Sequence, residues 1–526
     1  MIEFKKDKKK GWFRLKRYPH IGLPFENKDR LRLTSYIKNK EKISTHSFSP
    51  FIHKTIIVRK FRRKKFDDGS RSAKRISGNK PREIYYASHF DSLIFSYYAN
   101  LLNKNYEKRI LEKLLGNNVT AYRKIQIDPN NPNSRNKCNI DFAKEVFDYI
   151  SENKERKLAA ITFDISSFFD NLDHKILKEK WRMVMNFKEQ LPSDHYAIFR
   201  NITKFSYVEI QDLFEEFKNE IIFKKKNGTL GKIYVPRLEL LKEKNAVAFC
   251  ETKDLSDRVR NMNIIKKNKW TYENGIKILR EKGVPQGSPI SAILANLYLI
   301  DFDFELKNYI SELGGLYRRY SDDMVVVIDE DKKDAIIRKF QLEIQQVKLE
   351  IQPAKTQIFI FKKFEGEFRC KEFNQTTGIL TDNNKFDYLG FSFDGKSVYL
   401  KSSGLSKYYR KMKISLARGS FYAKYGKNKE RLLFKNRLYK KFTHLGSERR
   451  KIFIKDPLES DKWIETSKYD WGNFLSYVKL AERIFSKDNS MYEVKIQKQV
   501  KSSWNKFHLL MSKKEKAIEK YFDGRK

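Results

Sequence analysis

Two adjacent acids, Asp322 and Asp323, sit between an aromatic residue and an unbroken apolar run, Met324-Val325-Val326-Val327-Ile328. Upstream the chain reads Leu316-Tyr317-Arg318-Arg319-Tyr320. Two short strand-like runs separated by so few residues predict a β-hairpin with both carboxylates at its turn. Like charges at one turn repel unless something positive is held between them, and a divalent cation is the natural candidate. An Asp-Asp pair alone is weak evidence, because such pairs are usually solvated. It gains force only if a second acid in a buried setting can share the cation.

Asp164 is that second acid. It closes the apolar run Leu158-Ala159-Ala160-Ile161-Thr162-Phe163, where a carboxylate is costly to desolvate unless it is paired or metal-bound. It lies 158 positions before Asp322, so only the fold can bring the two together. Between them lies Gly283-Val284-Pro285-Gln286-Gly287-Ser288-Pro289, followed by the apolar stretch Ala292–Leu299. This is a glycine- and proline-rich loop opening a helix, in which small residues let a ligand approach the backbone.

The order of acid, glycine loop and acid pair resembles the palm motifs of reverse transcriptases. Phe163-Asp164 to Asp170 is similar to the first motif, Pro285-Gln286-Gly287-Ser288-Pro289 to the second and Tyr320 to Asp323 to the third. Leu349 to Thr356, with Lys355, is similar to the fourth. Phe386-Asp387-Tyr388-Leu389-Gly390-Phe391 is similar to the fifth, a primer-gripping hairpin. The run Phe168-Phe169-Asp170-Asn171-Leu172-Asp173-His174 and the wording of the second motif resemble bacterial retron and group II intron enzymes. Ser321 departs from that branch, where alanine is commoner.

The resemblance implies an α+β fold, the right hand of fingers, palm and helical thumb. It implies two Mg²⁺ ions (Mn²⁺ being possible), about 3.5–4 Å apart, that activate the primer hydroxyl and hold the triphosphate. Asp164, Asp322, Asp323 and the Ile165 carbonyl would be their ligands, with Asp323 in a supporting role. Lys80 and Arg82 would neutralise the triphosphate, Arg82 through bidentate contact. Lys355 would protonate the pyrophosphate. Phe169 falls where the family places a gate against the ribose 2′-hydroxyl, and excluding that group costs ribonucleotides roughly 1–3 kcal/mol. Gln286 would line the nucleotide pocket, and Tyr320, Leu389 and Gly390 would hold the primer.

Residues 1–78 then read as a basic extension, 79–160 as fingers, 161–395 as palm with an inserted subdomain near 186–280, and 396–526 as a helical basic thumb. The first 75 residues hold 24 Lys or Arg against 7 Asp or Glu, densest at Lys5–Lys10 and Arg59–Lys65. Tyr18 to Pro24 is a turn-rich apolar patch expected to dock on the body, and Asp128 to Ser134 an exposed loop. Phe90, Leu93, Ile94, Tyr97, Tyr98, Leu101 and Leu102 recur at helical spacing. In the insertion, His195 through Val208 and Leu213–Phe217 look helical, and Lys224–Gly228 forms a basic turn. Beyond Gly395 the pattern reads as helical to the end, with amphipathic helices at Phe474–Phe485 and Val494–Leu510.

A net charge of +44 gives strong, salt-sensitive attraction to phosphate backbones, though charge alone does not separate an enzyme from a packaging protein. The 40 Phe and 28 Tyr argue for packed cores rather than a disordered basic tail. Cys138, Cys250 and Cys370 lack metal spacing and read as reduced thiols of a cytoplasmic protein. No apolar run is long enough to span a membrane, and the charged start is unlike a signal peptide. No RNase H, integrase or Cys/His endonuclease constellation is visible. The expectation is therefore an enzyme that makes cDNA from dNTPs on a dedicated structured non-coding RNA. That absence, the basic thumb and the insertion resemble unclassified reverse transcriptases of antiphage defence, with a protein partner or homo-oligomer possible. Untemplated or protein-primed synthesis by the same site, and a non-catalytic RNA-binding scaffold, are the alternatives.

Overall fold

The computed structural model describes residues 11–65, 71–131, 134–225, 227–273, 275–352, 355–382, 384–426, 432–448, 451–455, 463–469, 472–487 and 491–524. Helices and mostly antiparallel sheets are mixed, as the α+β expectation holds. Lys5–Lys10 lies outside the described residues.

The chain forms two compact units that interleave in sequence. The first comprises residues 1–123, 162–325 and 334–356; the second comprises 124–161, 326–333 and 357–526. Strands Leu158–Asp164 and Asp323–Asp329 each run from one unit into the other.

In the first unit, the helix His89–Glu112 starts on Ser88, whose hydroxyl accepts from the Asp91 N–H, and buries Leu93, Ile94, Tyr98 and Leu102. This is the helix expected from the Phe90–Leu102 periodicity. Val208, Leu213, Phe214, Phe217, Phe249 and Val259 share one core with Ile21 and Ile52. The early apolar patch docks there: His20–Ile21 pairs in parallel with Ala246–Cys250, and Phe51–Thr55 pairs in parallel with Ser206–Glu209. Tyr207 and Val208 are therefore strand, not the helical continuation read from the sequence. The helix stops at Thr203, because the following residues find ladder partners in Phe51–His53 and in Lys266–Lys267. Arg59–Lys65 lies in a hairpin strand, Val58–Lys65 paired with Arg71–Lys80.

In the second unit, the helix Asn139–Glu152 packs Phe147 against Phe393, Phe386 and Phe485, with ring centroids 5.1–5.9 Å apart. Phe474–Phe485 is helical over the expected span, capped by Asn473. Two expectations fail in this unit. The region after Gly395 is not helical throughout: Ser397–Leu400 is a strand, and Lys451–Lys455 pairs with Trp463–Tyr469. The last helix is Ser503–Asp523, not 494–510, since Val494 is drawn into a parallel pair with Val398.

Candidate active site

The hairpin forms as expected. Leu316–Tyr320 and Asp323–Asp329 are joined through Ser321 and Asp322, and Ser321 takes a left-handed φ of +63°. A small side chain suits that strained position. In the sheet, Asp323–Asp329 lies between Leu316–Tyr320 and Leu158–Asp164. At the far end of these strands the Glu330 N–H donates to the Lys157 carbonyl and Arg156 pairs with Asp329, so the two run antiparallel. That direction sets the Asp164 end of one strand beside the Asp322–Asp323 start of the other.

The fourth motif closes on the same strand end. The Ser166 N–H donates to Glu350 and the Gln352 N–H donates to Asp164, flanking an antiparallel bridge between Ile165 and Ile351. In such a pair the bridged residues' own groups point outward, which leaves the Ile165 carbonyl turned away from Ile351. The bridge brings Lys355 back so that its ammonium contacts the Asp164 carboxylate.

The first and second motifs are sewn together by backbone bonds. The Val284 N–H donates to Phe169, the Gly283 N–H to Leu172 and the His174 N–H to Glu281, each at 2.8 Å. His174 Nε2 bonds the Gly283 carbonyl at 2.8 Å. Asp173 caps the helix His174–Val184 by accepting from Lys175 and Ile176. Burial raises the Asp173 carboxyl, but those N–H groups and the Lys348 ammonium outweigh it and hold it below the usual range. Gly283 has φ +95°, and a Cβ there would lie 2.8 Å from the Asp170 carbonyl. Phe168 is buried in the core, whereas Phe169 is only half-buried and is the ring available to a ligand.

The nucleotide-binding candidates lie around the same loop. The Tyr85 N–H donates to the Gln286 carbonyl at 2.8 Å, and a Cβ on Gly287 would come within 2.8 Å of the Tyr85 carbonyl. Burial pushes the Tyr85 hydroxyl up to about 12. The strand Glu83–Tyr86 that carries it is preceded by Lys80 and Arg82, both exposed, and Arg82 is fixed by reciprocal backbone bonds with Ile56. Gln286 is half-buried between the loop and this strand.

Leu389 and Gly390 belong to the second unit. They are the two central residues of a tight hairpin between Phe386–Tyr388 and Phe391–Phe393, with φ of +44° and +96°. Two successive left-handed residues are the signature of a type I′ turn. Asn139 Nδ2 donates to the Leu389 carbonyl at 3.1 Å and the Lys401 N–H to that of Gly390 at 3.0 Å.

Sequence reasoning missed the network beneath the acidic turn. Arg319 and Asp303 are both fully buried; Nε and Nη2 donate to the two carboxylate oxygens at 2.7 and 2.6 Å. Arg319 Nη1 donates to Asn296 Oδ1 at 3.3 Å and to the Ser321 carbonyl at 3.2 Å, and Tyr317 donates to Asp303 at 2.8 Å. Burial would lower the guanidinium, but the Asp303 carboxylate outweighs it and keeps Arg319 charged. The Ser321 and Tyr122 hydroxyls are 3.2 Å apart. The available signal was alternation: Tyr317 and Arg319 share the buried face of their strand.

Among the described residues no three His, Cys, Asp or Glu side chains converge as a ready-made metal cage, so Asp164, Asp322 and Asp323 do not form a three-acid cluster. The donor set nevertheless fits Mg²⁺, which binds through one or two carboxylates and takes its other ligands from water and substrate phosphates. The Lys355 ammonium already occupies the cation side of Asp164.

Residues 234–393 match the family model described as reverse transcriptase (RNA-dependent DNA polymerase). Over those 160 residues the chain is similar to a reverse transcriptase domain. Tyr320, Asp322, Asp323, Gln286, Lys355, Leu389 and Gly390 fall within the match, whereas Asp164, Ile165, Phe169, Lys80 and Arg82 precede it. No curated protein matches the chain. Similar solved structures include apo telomerase from Candida tropicalis, at TM-score 0.36 and 13% identity, covering 77% of this chain and 60% of that one. Telomerase from Candida albicans in complex with a TWJ fragment of telomeric RNA gives TM-score 0.34 and 14% identity, covering 78% and 56%. The chain spans less than two thirds of the length of these structures.

Proposed function

We propose that the protein is a cytoplasmic reverse transcriptase of the bacterial retron and group II intron type, which copies a dedicated structured RNA into DNA, in antiphage defence. Fingers, palm and thumb would follow the sequence divisions given above. The observation that carries the polymerase reading is the closure of the fourth motif on the first, which sets Lys355 against Asp164 beside the acidic turn. Divalent ions held by Asp164, Asp322 and the Ile165 carbonyl, with Asp323 in support, would activate the primer hydroxyl and steady the triphosphate.

The chain's own residues supply the rest. Lys80 and Arg82 are exposed and free to neutralise the triphosphate. Phe169 presents its ring where the sugar would lie and leaves a 2′-hydroxyl no partner, favouring deoxynucleotides. Gln286 lines the pocket from the loop side. Lys355 carries a proton on Nζ next to Asp164 and is the donor for the departing pyrophosphate. Tyr320 and the Leu389-Gly390 turn would steady the primer.

The test is sequencing of nucleic acid bound to the purified protein, with and without dNTPs, alongside Asp164→Ala and Asp322→Ala variants. DNA complementary to one abundant bound RNA, absent from both variants, is the expected result. Simple-repeat DNA without a matching RNA would point to untemplated synthesis, and bound RNA without DNA in any sample would leave only a scaffold.

A further inference from the structure

The second unit holds a cavity of about 390 Å³ that none of the motifs explains. Its floor is apolar, with Leu475 and Val478 both buried. One wall is a pair of aromatic rings, His444 and Trp504, whose centroids are 4.7 Å apart at 46°. Gln497 stands exposed at the mouth, and its side-chain amide has no hydrogen-bond partner among the described residues. Lys479, Lys498 and Lys501 also line it, all exposed, and none makes an ion pair among the described residues. Ser503 and Trp504 open the 21-residue helix Ser503–Asp523, whose first turn contains no acid. Its positive dipole end therefore adds to the three ammonium groups.

We propose that this cavity binds an unpaired nucleotide of a single-stranded nucleic acid. The base enters against Trp504 and His444, the Gln497 amide meets its hydrogen-bonding edge, and the flanking phosphates lie on the lysines. The volume falls within the roughly 300–1,000 Å³ of small-molecule pockets, so a flat ring system is admitted. A base inside a duplex is stacked on both faces and cannot enter a concave site, so the site selects unpaired strands. An acidic peptide would satisfy the lysines but would leave the aromatic wall and the free amide unused. This inference does not depend on polymerase chemistry.

The experiment uses the full-length protein and a twelve-nucleotide single strand carrying one central 2-aminopurine, in RNA and DNA forms. Controls are the same strand paired, the same strand with an abasic central position, and poly-glutamate as competitor. Expected is quenching of 2-aminopurine in the single strand only. Trp504→Ala should weaken single-strand binding roughly 5- to 150-fold, as loss of one base–aromatic stack does, and Trp504→Phe should largely retain it. Lys498→Ala with Lys501→Ala should lower the salt-dependence slope by about 1.4. Gln497→Glu changes only an exposed rim residue, so it tests the site even if Trp504→Ala misfolds; it should weaken binding too. The proposal is overturned if the variants bind like wild type, if the abasic strand binds as well as the intact one, if 2-aminopurine is quenched as strongly in the paired strand, or if poly-glutamate displaces the single strand at equal charge. A preference for RNA over DNA would name the RNA as the source of the nucleotide, and the reverse preference the product strand.

Discussion

Arg319 offers the sharpest separation of scaffold from catalysis. Its fork satisfies both oxygens of Asp303 in a fully buried pair, and its remaining nitrogen holds the carbonyl of Ser321 at the acidic turn. Asp303→Asn leaves the guanidinium buried and poorly compensated, and breaking a buried pair in this way costs about 3–5 kcal/mol. Replacing three members together, by Tyr317→Phe, Asp303→Leu and Arg319→Met, removes the orphaned charge and leaves only Asn296, which keeps its bond to the Ala121 carbonyl. Such swaps are commonly neutral or stabilising by about 1–4 kcal/mol. What the triple variant cannot restore is the charged donor to Ser321, a bond of about 1.5–3 kcal/mol. If that bond steadies Asp322 in the transition state, its loss lowers the rate of incorporation about 10- to 150-fold. The assay pairs urea unfolding with single-turnover incorporation across a dNTP titration. Expected is a triple variant at least as stable as wild type, with a depressed rate and unchanged apparent dNTP affinity. Wild-type incorporation by the triple variant would refute the reasoning and leave the network as scaffolding alone.

Phe169→Ala should admit ribonucleotides, improving their use about 5- to 150-fold relative to deoxynucleotides, whereas Phe168→Ala should cost about 3–5 kcal/mol of stability through a core cavity; unchanged sugar discrimination in the first would remove Phe169 as the gate. Gly287→Ala places a methyl 2.8 Å from the Tyr85 carbonyl at a φ of +115°, so dNTP affinity should fall while binding of single-stranded RNA, read by filter retention, stays the same. Burial lowers His20 to about 3 and His89 to about 4, so both stay neutral in the fold while the unfolded chain protonates them below about 6.5. Their contribution is intact above pH 6.5 and is lost as pH falls toward 4, at about 2 kcal/mol per histidine by pH 5, readable as a falling urea midpoint. Neither ring nitrogen of His89 has a hydrogen-bond partner among the described residues, so His89→Phe should flatten part of that acid limb and raise stability at neutral pH.

Local signals were read well where one element satisfies itself. The helix at Phe474–Phe485 has an Asn cap and a single apolar face, and the Leu389-Gly390 turn needs only two left-handed residues. The acidic hairpin is equally local. Long-range pairing was not legible. Tyr207 and Val208 continue an apolar pattern that suits a helix, and Phe51–His53, over 150 residues upstream, together with Lys266–Lys267 downstream turns them into strand. Val494 is pulled from a helical pattern in the same way by Val398. Arg319 sits in a strand already rich in arginine, and nothing local marks it as the one whose partner, Asp303, lies on the preceding helix. Lys355 and Asp164 were each singled out, but their contact depends on a bridge between residues 165 and 351.

The interleaving of the two units also constrains how the chain is made. The first unit is assembled from residues 1–123, 162–325 and 334–356, so it cannot close until residue 356 has left the ribosome. Residues 124–161 and 326–333 emerge midway and must wait for the segment that begins at residue 357. Apolar strand surface at Leu158–Ile161 thus waits about 200 further residues for that segment, ten seconds or more at roughly 5–20 residues per second, whereas Val326–Ile328 waits only about 30. No contiguous fragment shorter than residues 1–356 contains the whole first unit, so Asp164, the acidic turn and Lys355 share a finished unit only once the backbone has been made that far.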